Sequence, residues 1–334
     1  MKAIVLISGG LDSTLAARLL KEQGIEIVAL NFKTPFCLCD RKGTSGCGNY
    51  ARSVANNLGV ELKIINVTDE FFAILKNPKH GYGSNMNPCI DCRILMLRKA
   101  KEFMQEIGAK FIVTGEVLGQ RPMSQHKQAL KVIEKESGLE GLVLRPLSAR
   151  LLPETIPERE GWVARDKLLN FSGRTRKPQI DLAKTFNIKD YPCAAGGCLL
   201  TDPGFAKRVK DLINYGELSL NNVELLKIGR HFRISENTKL AVGRNKKENE
   251  ELVNLSKEND YLFFPNEGLA GPTSLGRGNF SEDLIKLSCS ITCRYCDLDG
   301  KTDADIIYKR IPEKEDRIFK VSPVDDAELR SLRI

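Results

Sequence analysis

Three sets of residues in this chain could do chemistry. The first is the string SGGLDST at residues 8–14, which follows a short apolar run and opens a helical pattern. Two adjacent glycines let the backbone turn tightly and approach an anion. The N–H groups at the start of the following helix favour negative charge, so the string reads as a phosphate cradle. The hydroxyls of Ser8, Ser13 and Thr14 can add hydrogen bonds. Asp12 suits such a site if it holds a magnesium ion that bridges to the phosphates. The plainer alternative is a glycine turn with Asp12 as helix N-cap.

The second set is cysteine, of which the chain has ten. Cys89 and Cys92 stand three apart in NPCIDCR, after a proline and before a helical pattern. Cys193 and Cys198 follow far downstream. Such a set can hold iron–sulfur or zinc, or exchange disulfides and persulfides. A helix N-terminus lowers thiol pKa, and Gly196 and Gly197 would let the chain approach a bulky cofactor. Cys37, Cys39 and Cys47 form another group after the second strand, open to a structural metal or to buried thiols; the expectation is no metal. Cys289, Cys293 and Cys296 have the spacing of radical enzymes that cleave S-adenosylmethionine. They lie on a helical pattern with no barrel-sized sequence around them, so they are expected to pack as small hydrophobes, with structural zinc as the next option.

The third set is basic. Lys227, Arg230, His231, Arg233, Arg244, Lys246 and Lys247 crowd one stretch. Such a cluster reads phosphate backbone rather than base sequence, or simply solvates a face. The net charge of +8 agrees with a polyanionic partner.

The elements that must position these residues follow from pattern. With 334 residues, 42% hydrophobic and 28% charged, the chain has room for two domains with real cores. No apolar run is long enough to span a bilayer. The opening MKAIVLISGG reads as a buried strand rather than a signal peptide. The expected location is the cytoplasm, where static disulfide frameworks are rare. KAIVLIS, IEIVALNF, VELKIINV, AKFIVTGE and GLVLRPL read as strands. DSTLAARLLKEQG and CRILMLRKAKEFMQEIG read as amphipathic helices closed by Gly24 and Gly108. The expected fold is α/β, a doubly wound parallel sheet over residues 1–200, with ligands at the carboxyl ends of its strands. A smaller α+β domain is expected over 201–334. There HFRISENTKLAVGRN reads as a hairpin, NKKENEELVNLSKEN as a polar helix, and DYLFFP and DADIIYKRI as further extended pieces.

Several strings, in order, carry a resemblance. SGGLDS lacks the lysine of the nucleotide P-loop and resembles the SGGxDS signature of the PP-loop ATP pyrophosphatases, which cleave ATP to AMP and pyrophosphate and adenylate a carbonyl oxygen. TGEVLGQRPMSQ (residues 114–125), VLRPL and SGRTRKPQIDLAK resemble segments of the tRNA 4-thiouridine synthetase family. The resemblance covers most of residues 1–200. It implies ATP and magnesium held at Ser8, Gly9, Gly10, Asp12, Ser13 and Thr14. It implies a nucleotide lined by Asn31, Phe32, Gly115 and Gln120, with Asp12 catalytic. Gln120, Arg121 and Gln125 face the nucleotide or the base, or else form a polar surface loop.

Some enzymes of that kind carry a Cys-x-x-Cys before a helix and one distant cysteine. Those three thiolates hold a 4Fe–4S cluster whose remaining iron can bind hydrosulfide. Here the resemblance implies Cys89, Cys92 and Cys198 as catalytic metal ligands, with Cys193 as the spare candidate. Cluster-free persulfide chemistry and a zinc held by all four cysteines compete with it. AVGRNKKENEELVNLSKENDYLFFP and GLAGPTSL resemble the RNA-binding domain of NFACT-type proteins, which implies RNA contacts from Lys227, Arg230, Arg233, Arg244, Lys246 and Lys247.

The chain opens on the first strand, so the expectation is a protein without the family's N-terminal RNA-binding extension or an appended rhodanese-like domain. The expectation is ATP-dependent thiolation of tRNA to 4-thiouridine, with sulfur from inorganic sulfide or a sulfur-donating protein. No membrane is involved, and a homodimer is allowed. The alternative is an adenylating ligase that uses ammonia or an amine and keeps its cysteines for structural zinc.

Overall fold

The computed structural model describes residues 1–37, 46–188, 191, 197–313 and 315–334, with backbone alone at 46 and 47. The chain divides into two compact units, Met1–Asp202 and Pro203–Ile334.

The first unit is built on strands β1 (Lys2–Leu6), β2 (Glu26–Lys33), β3 (Glu61–Asn66), β4 (Phe111–Thr114) and β5 (Val143–Leu144). Its helices are α1 (Leu11–Glu22), α2 (Gly46–Leu58), α3 (Thr68–Lys76), α4 (Cys89–Glu106), α5 (Lys127–Ser137), α6 (Ile156–Arg159) and α7 (Lys177–Thr185). The strands pair in parallel in the order β3-β2-β1-β4-β5. The expected doubly wound α/β sheet is therefore present. Side chains alternate across a strand, so β1 feeds two cores. Ala3 and Val5 join Leu15, Leu19, Val54 and Leu58 of α1 and α2, whereas Ile4 and Leu6 join Ile94, Leu97 and Met104 of α4.

The chain moves outward from β1 to β2 and β3, then returns to β4 on the other side of β1. The crevice beyond the carboxyl ends of β1 and β4 is thus the topological switch point, where ligands bind in open α/β sheets. It is flanked by residues 7–14 and 115–125. α4 starts at Cys89, three residues earlier than its apolar stripe suggests. Pro88 stands at its N-cap, where a missing N–H costs nothing. Cys89 and Cys92 therefore occupy the first turn of a helix rather than the loop before it, and spacing i, i+3 puts both on one face. β5 is only two residues long because Pro146 follows closely and cannot donate to a ladder.

The second unit carries β6 (Arg230–Ser235), β7 (Thr238–Val242), β8 (Tyr261–Pro265), β9 (Ser274–Gly278), β10 (Ala304–Arg310) and β11 (Arg317–Val321). They form an antiparallel sheet in the order β11-β10-β8-β9-β7-β6. Helices α8 (Pro203–Asn214), α9 (Leu220–Leu226), α10 (Lys246–Leu255), α11 (Glu282–Cys293) and α12 (Asp326–Leu332) complete it. Leu240 and Val242 of β7 face the α11 side of the sheet, and Ala241 faces Leu225 and Leu252 of α9 and α10. Cys289 and Cys293 are fully buried members of that α11 core, as small hydrophobes are. Cys296 lies past the helix end, where its thiol donates to the Thr292 carbonyl at 3.5 Å.

Candidate active site

The phosphate loop leaves β1 at the switch point. Gly9 has φ +78°, and a Cβ there would sit 2.6 Å from Cβ of Tyr50, so both conformation and packing require glycine. The hydroxyls of Ser13 and Thr14 donate to the Gly10 carbonyl at 2.9 and 3.1 Å, and Ser8 Oγ lies 3.3 Å from Ser13 Oγ. These hydroxyls shape the loop, while the first N–H groups of α1 have no partner within the helix. Gly115, at the exit of β4, meets the start of α1 so closely that a Cβ would lie 2.5 Å from the Ser13 nitrogen. Asn31 is committed to the fold: its amide donates to the Ile7 carbonyl at 2.6 Å and tethers the ends of β2 and β1. Phe32 is half-buried against the α4 core.

Asp12 faces the crevice. Its Oδ2 accepts from Gln120 Nε2 at 3.0 Å and lies 3.8 Å from the Arg176 guanidinium, while its Oδ1 is buried with no partner. Burial raises its carboxyl above the ordinary range, opposed by Gln120, Arg176 and Arg121. That orphaned carboxylate oxygen offers a magnesium ion a ligand.

Cys89, Cys92 and Cys198 lie close enough together to act on one another's ionisation. Residues 198–201 are stitched into place by backbone bonds. Leu199 N donates to the Phe36 carbonyl at 2.8 Å, Met86 N donates to the Leu200 carbonyl at 3.2 Å, and Cys198 pairs with Cys37 in an antiparallel bridge. This brings Cys198 near the first turn of α4. Desolvation pushes the Cys92 thiol up to about 12 and Cys198 up to about 11, and Cys89 reinforces both shifts through its charge. Arg93 and Arg121 oppose the rise at Cys92. Among the described residues no three Cys, His, Asp or Glu side chains stand ready to hold a metal ion. Cys37 is disulfide-bonded rather than one of a group of buried thiols. Cys39, Cys193 and Gly196 lie outside the described residues, as does the side chain of Cys47.

One loop links Asp12 to these thiols. Residues 116–125 follow β4 and fold back on themselves through Gly119 N to the Gln125 carbonyl, 2.6 Å. Gln120 reaches Asp12, while Ser124 accepts from the Cys89 thiol at 3.0 Å. At its base, buried Glu116 lies 3.4 Å from Arg93 and 3.0 Å from Arg145. Against desolvation, these guanidiniums hold Glu116 below the usual carboxylate range. Arg121 has its own pKa lowered by burial and by Arg93, and it acts on Asp12, Cys92 and Cys198 alike. Arg93, Glu116, Ser124, Arg176 and Gln179 were not legible as site residues. The available signal was adjacency: Arg93 follows Cys92, and Glu116 and Ser124 sit inside TGEVLGQRPMSQ.

Comparison with known proteins gives the frame. A profile described as thiamine biosynthesis protein (ThiI) matches residues 1–150, and one described as NFACT protein RNA binding domain matches residues 229–333. The chain joins a ThiI-type PP-loop domain to an NFACT-type RNA-binding domain. A relative of the first domain is the tRNA-specific 2-thiouridylase MnmA of Pelobacter propionicus, 33% identical over 119 residues, or 34% of this chain and 33% of that protein. The match thus spans about a third of that relative's length. Among solved structures, a 4-thiouridine synthetase–RNA complex with bound ATP is 22% identical with TM-score 0.40, covering 68% of this chain and 52% of that one. The U34-tRNA thiolase NcsA from Methanococcus maripaludis with its 4Fe–4S cluster is 17% identical with TM-score 0.34, covering 68% and 70%.

In the NFACT-type domain the structure sorts the basic cluster. Lys227 is bound by Glu224 at 2.7 and 2.8 Å. Arg233 is held by Asp211 at 2.6 Å and Glu217 at 2.9 Å, and only 9% of its side chain is exposed. Desolvation keeps buried His231 neutral, with its pKa well below the ordinary value. Arg230 stacks over Tyr295, 4.5 Å from the ring centroid. Arg244, Lys246 and Lys247 are the exposed members. Arg233 and Lys227 are thus engaged by carboxylates, Lys227 by a neighbour in its own turn and Arg233 by partners 16 and 22 residues upstream. Arg233→Ala therefore destabilises this unit by about 3 kcal/mol, the cost of stranding a buried ion pair. The double variant Lys246→Ala/Lys247→Ala leaves the melting temperature unchanged and lowers the salt slope of RNA binding by about 1–2. Melting curves and salt-dependent filter binding check both.

Proposed function

We propose that this chain is an ATP-dependent tRNA uridine thiolase. The observation that carries the reading is the 116–125 loop, which touches Asp12 at the phosphate loop and Cys89 at the thiols. Activation and sulfur delivery then meet in one crevice. The uridine carbonyl oxygen attacks the α-phosphorus of ATP and pyrophosphate leaves. A sulfur nucleophile, supplied as sulfide or by a donor protein, adds to the adenylated base. AMP departs with the former carbonyl oxygen, leaving a thiocarbonyl.

The chain's residues have distinct parts in this. The N–H groups at the start of α1 hold the phosphates. Asp12 would hold magnesium through its open Oδ1, and Arg121 and Arg176 balance phosphate charge from either side. Cys89, Cys92 and Cys198 are the thiols that would hold a 4Fe–4S cluster; Arg93 and Arg121 favour the ionised form of Cys92, and Arg121 that of Cys198. Such a cluster would supply a Lewis-acidic position for the sulfur nucleophile. The exposed basic residues of the NFACT-type domain would hold tRNA backbone, and the protein would work in the cytoplasm.

A second reading is favoured by the disulfide at Cys37, whose backbone pairs with that of Cys198. In it a cysteine persulfide gives its outer sulfur to the base, and a second thiol resolves the mixed disulfide. Iron and acid-labile sulfide analysis of anaerobically purified protein separates the two. An iron-free protein with full activity selects the persulfide route.

The reading is tested by mass spectrometry of tRNA nucleosides from a strain lacking the gene. The expected result is loss of one thiouridine, with 4-thiouridine the first candidate. Loss of 2-thiouridine would keep the chemistry and move the target carbonyl. Unchanged levels of both, in a strain with no second thiolase, would remove the proposal.

A further inference from the structure

Gln179 is a buried polar residue that the mechanism leaves unused. It stands at the third position of α7 and is 1% exposed, yet neither its Oε1 nor its Nε2 has a hydrogen-bond partner. Asp12 Oδ1 is buried and unpartnered in the same way. The two side chains are neighbours: the Gln179 amide stands close enough to Asp12 to help hold it ionised, yet the two are not aligned in a hydrogen bond. Helix α7 packs on α1, which carries Asp12. Buried polar groups in folded proteins are almost always partnered, so three orphaned atoms in one place point to a ligand that supplies what they lack.

The atoms narrow the choice of ligand. A phosphate alone offers only acceptors: it would satisfy Nε2 but neither Oε1 nor Asp12 Oδ1. A bare metal ion would satisfy the oxygens but not the N–H donor. A hydrated magnesium–triphosphate offers both kinds of partner, since the metal or its waters meet the oxygens and phosphate oxygens accept from Nε2. Resting on the proposed nucleotide site, we propose that Gln179 is a positioning residue that grips the hydrated magnesium–triphosphate of ATP alongside Asp12. Gln179 thereby reads the metal complex of the nucleotide rather than the nucleotide alone.

The test is Gln179→Leu, which keeps size and removes both polar atoms. Calorimetry with α,β-methylene ATP is run with magnesium and with EDTA, and melting temperatures are taken with and without ligand. Removing two unmet polar groups should leave the ligand-free melting temperature unchanged or higher. Affinity for the magnesium complex should fall about tenfold, with a smaller ligand-induced rise in melting temperature, while affinity in EDTA stays the same. Equal weakening in both conditions, no weakening in either, or a lower ligand-free melting temperature would overturn the proposal. If the unaltered protein binds the nucleotide in neither condition, the nucleotide site itself is wrong and Gln179 falls with it.

Discussion

Asp12→Asn cuts pyrophosphate release by about a hundredfold or more while leaving the fold intact. The two halves of that result have separate causes. Asp12 is the carboxylate at the phosphate loop whose Oδ1 is open, and the amide of asparagine brings no charge to a metal ion there. The effect on stability runs the other way. Burial raises the Asp12 pKa, so its charged form is held in the folded state at a cost at neutral pH. Asparagine relieves that cost and keeps an oxygen within reach of Gln120. The melting temperature should therefore hold or rise as activity disappears. A variant that releases pyrophosphate at the normal rate would show that Asp12 is only a helix-start residue.

The cysteines predict a different split. Cys92→Ser and Cys198→Ser should each reduce sulfur incorporation into tRNA to background while AMP formation continues at the normal level. Serine nearly preserves shape but is a poor ligand for iron, and the thiols lie at the far end of the 116–125 loop from Asp12. Iron content should fall with activity if the thiols hold a cluster. Cys296→Ser should change neither, because that thiol bonds only within its own helix end. Loss of AMP formation in the Cys198 variant would mean that residues 198–201 serve the phosphate site instead. Normal sulfur incorporation would mean that the three-thiol assignment is wrong.

How much of the molecule is readable in its sequence depends on the kind of signal. The parallel sheet was legible because β1, β2 and β4 are short apolar runs separated by helical patterns, and the tight turn after β1 because Gly9 is required by both φ and contact. Helix α2 went unmarked because it opens on Gly46 and Gly48, which look like loop, although Ala51, Val54, Ala55 and Leu58 are spaced as a helix face. Strand β9 was hidden in a glycine-rich stretch, since Gly276 and Gly278 carry no apolar side chain to show alternation. The ion pairs of Arg233 were hidden for a deeper reason. Sequence displays a charge but not its partner, and Asp211 and Glu217 lie 22 and 16 residues upstream. The same limit hid Arg93 and Glu116, whose ion pair forms only when α4 packs beside β4. The Cys-x-x-Cys pair was legible as chemistry, but the helix boundary that puts both thiols on one face needed the tolerance of Pro88 at an N-cap.

The central claim is that adenylation and sulfur delivery occur in one crevice on one substrate. The direct measurement is a single-turnover reaction of anaerobically purified protein with unmodified tRNA, magnesium–ATP and sulfide, counting AMP and thiouridine together. The expected result is one AMP for each thiouridine formed, and no AMP when tRNA is omitted. Formation of AMP that requires ammonia, ignores tRNA and leaves no sulfur in the RNA would contradict the claim.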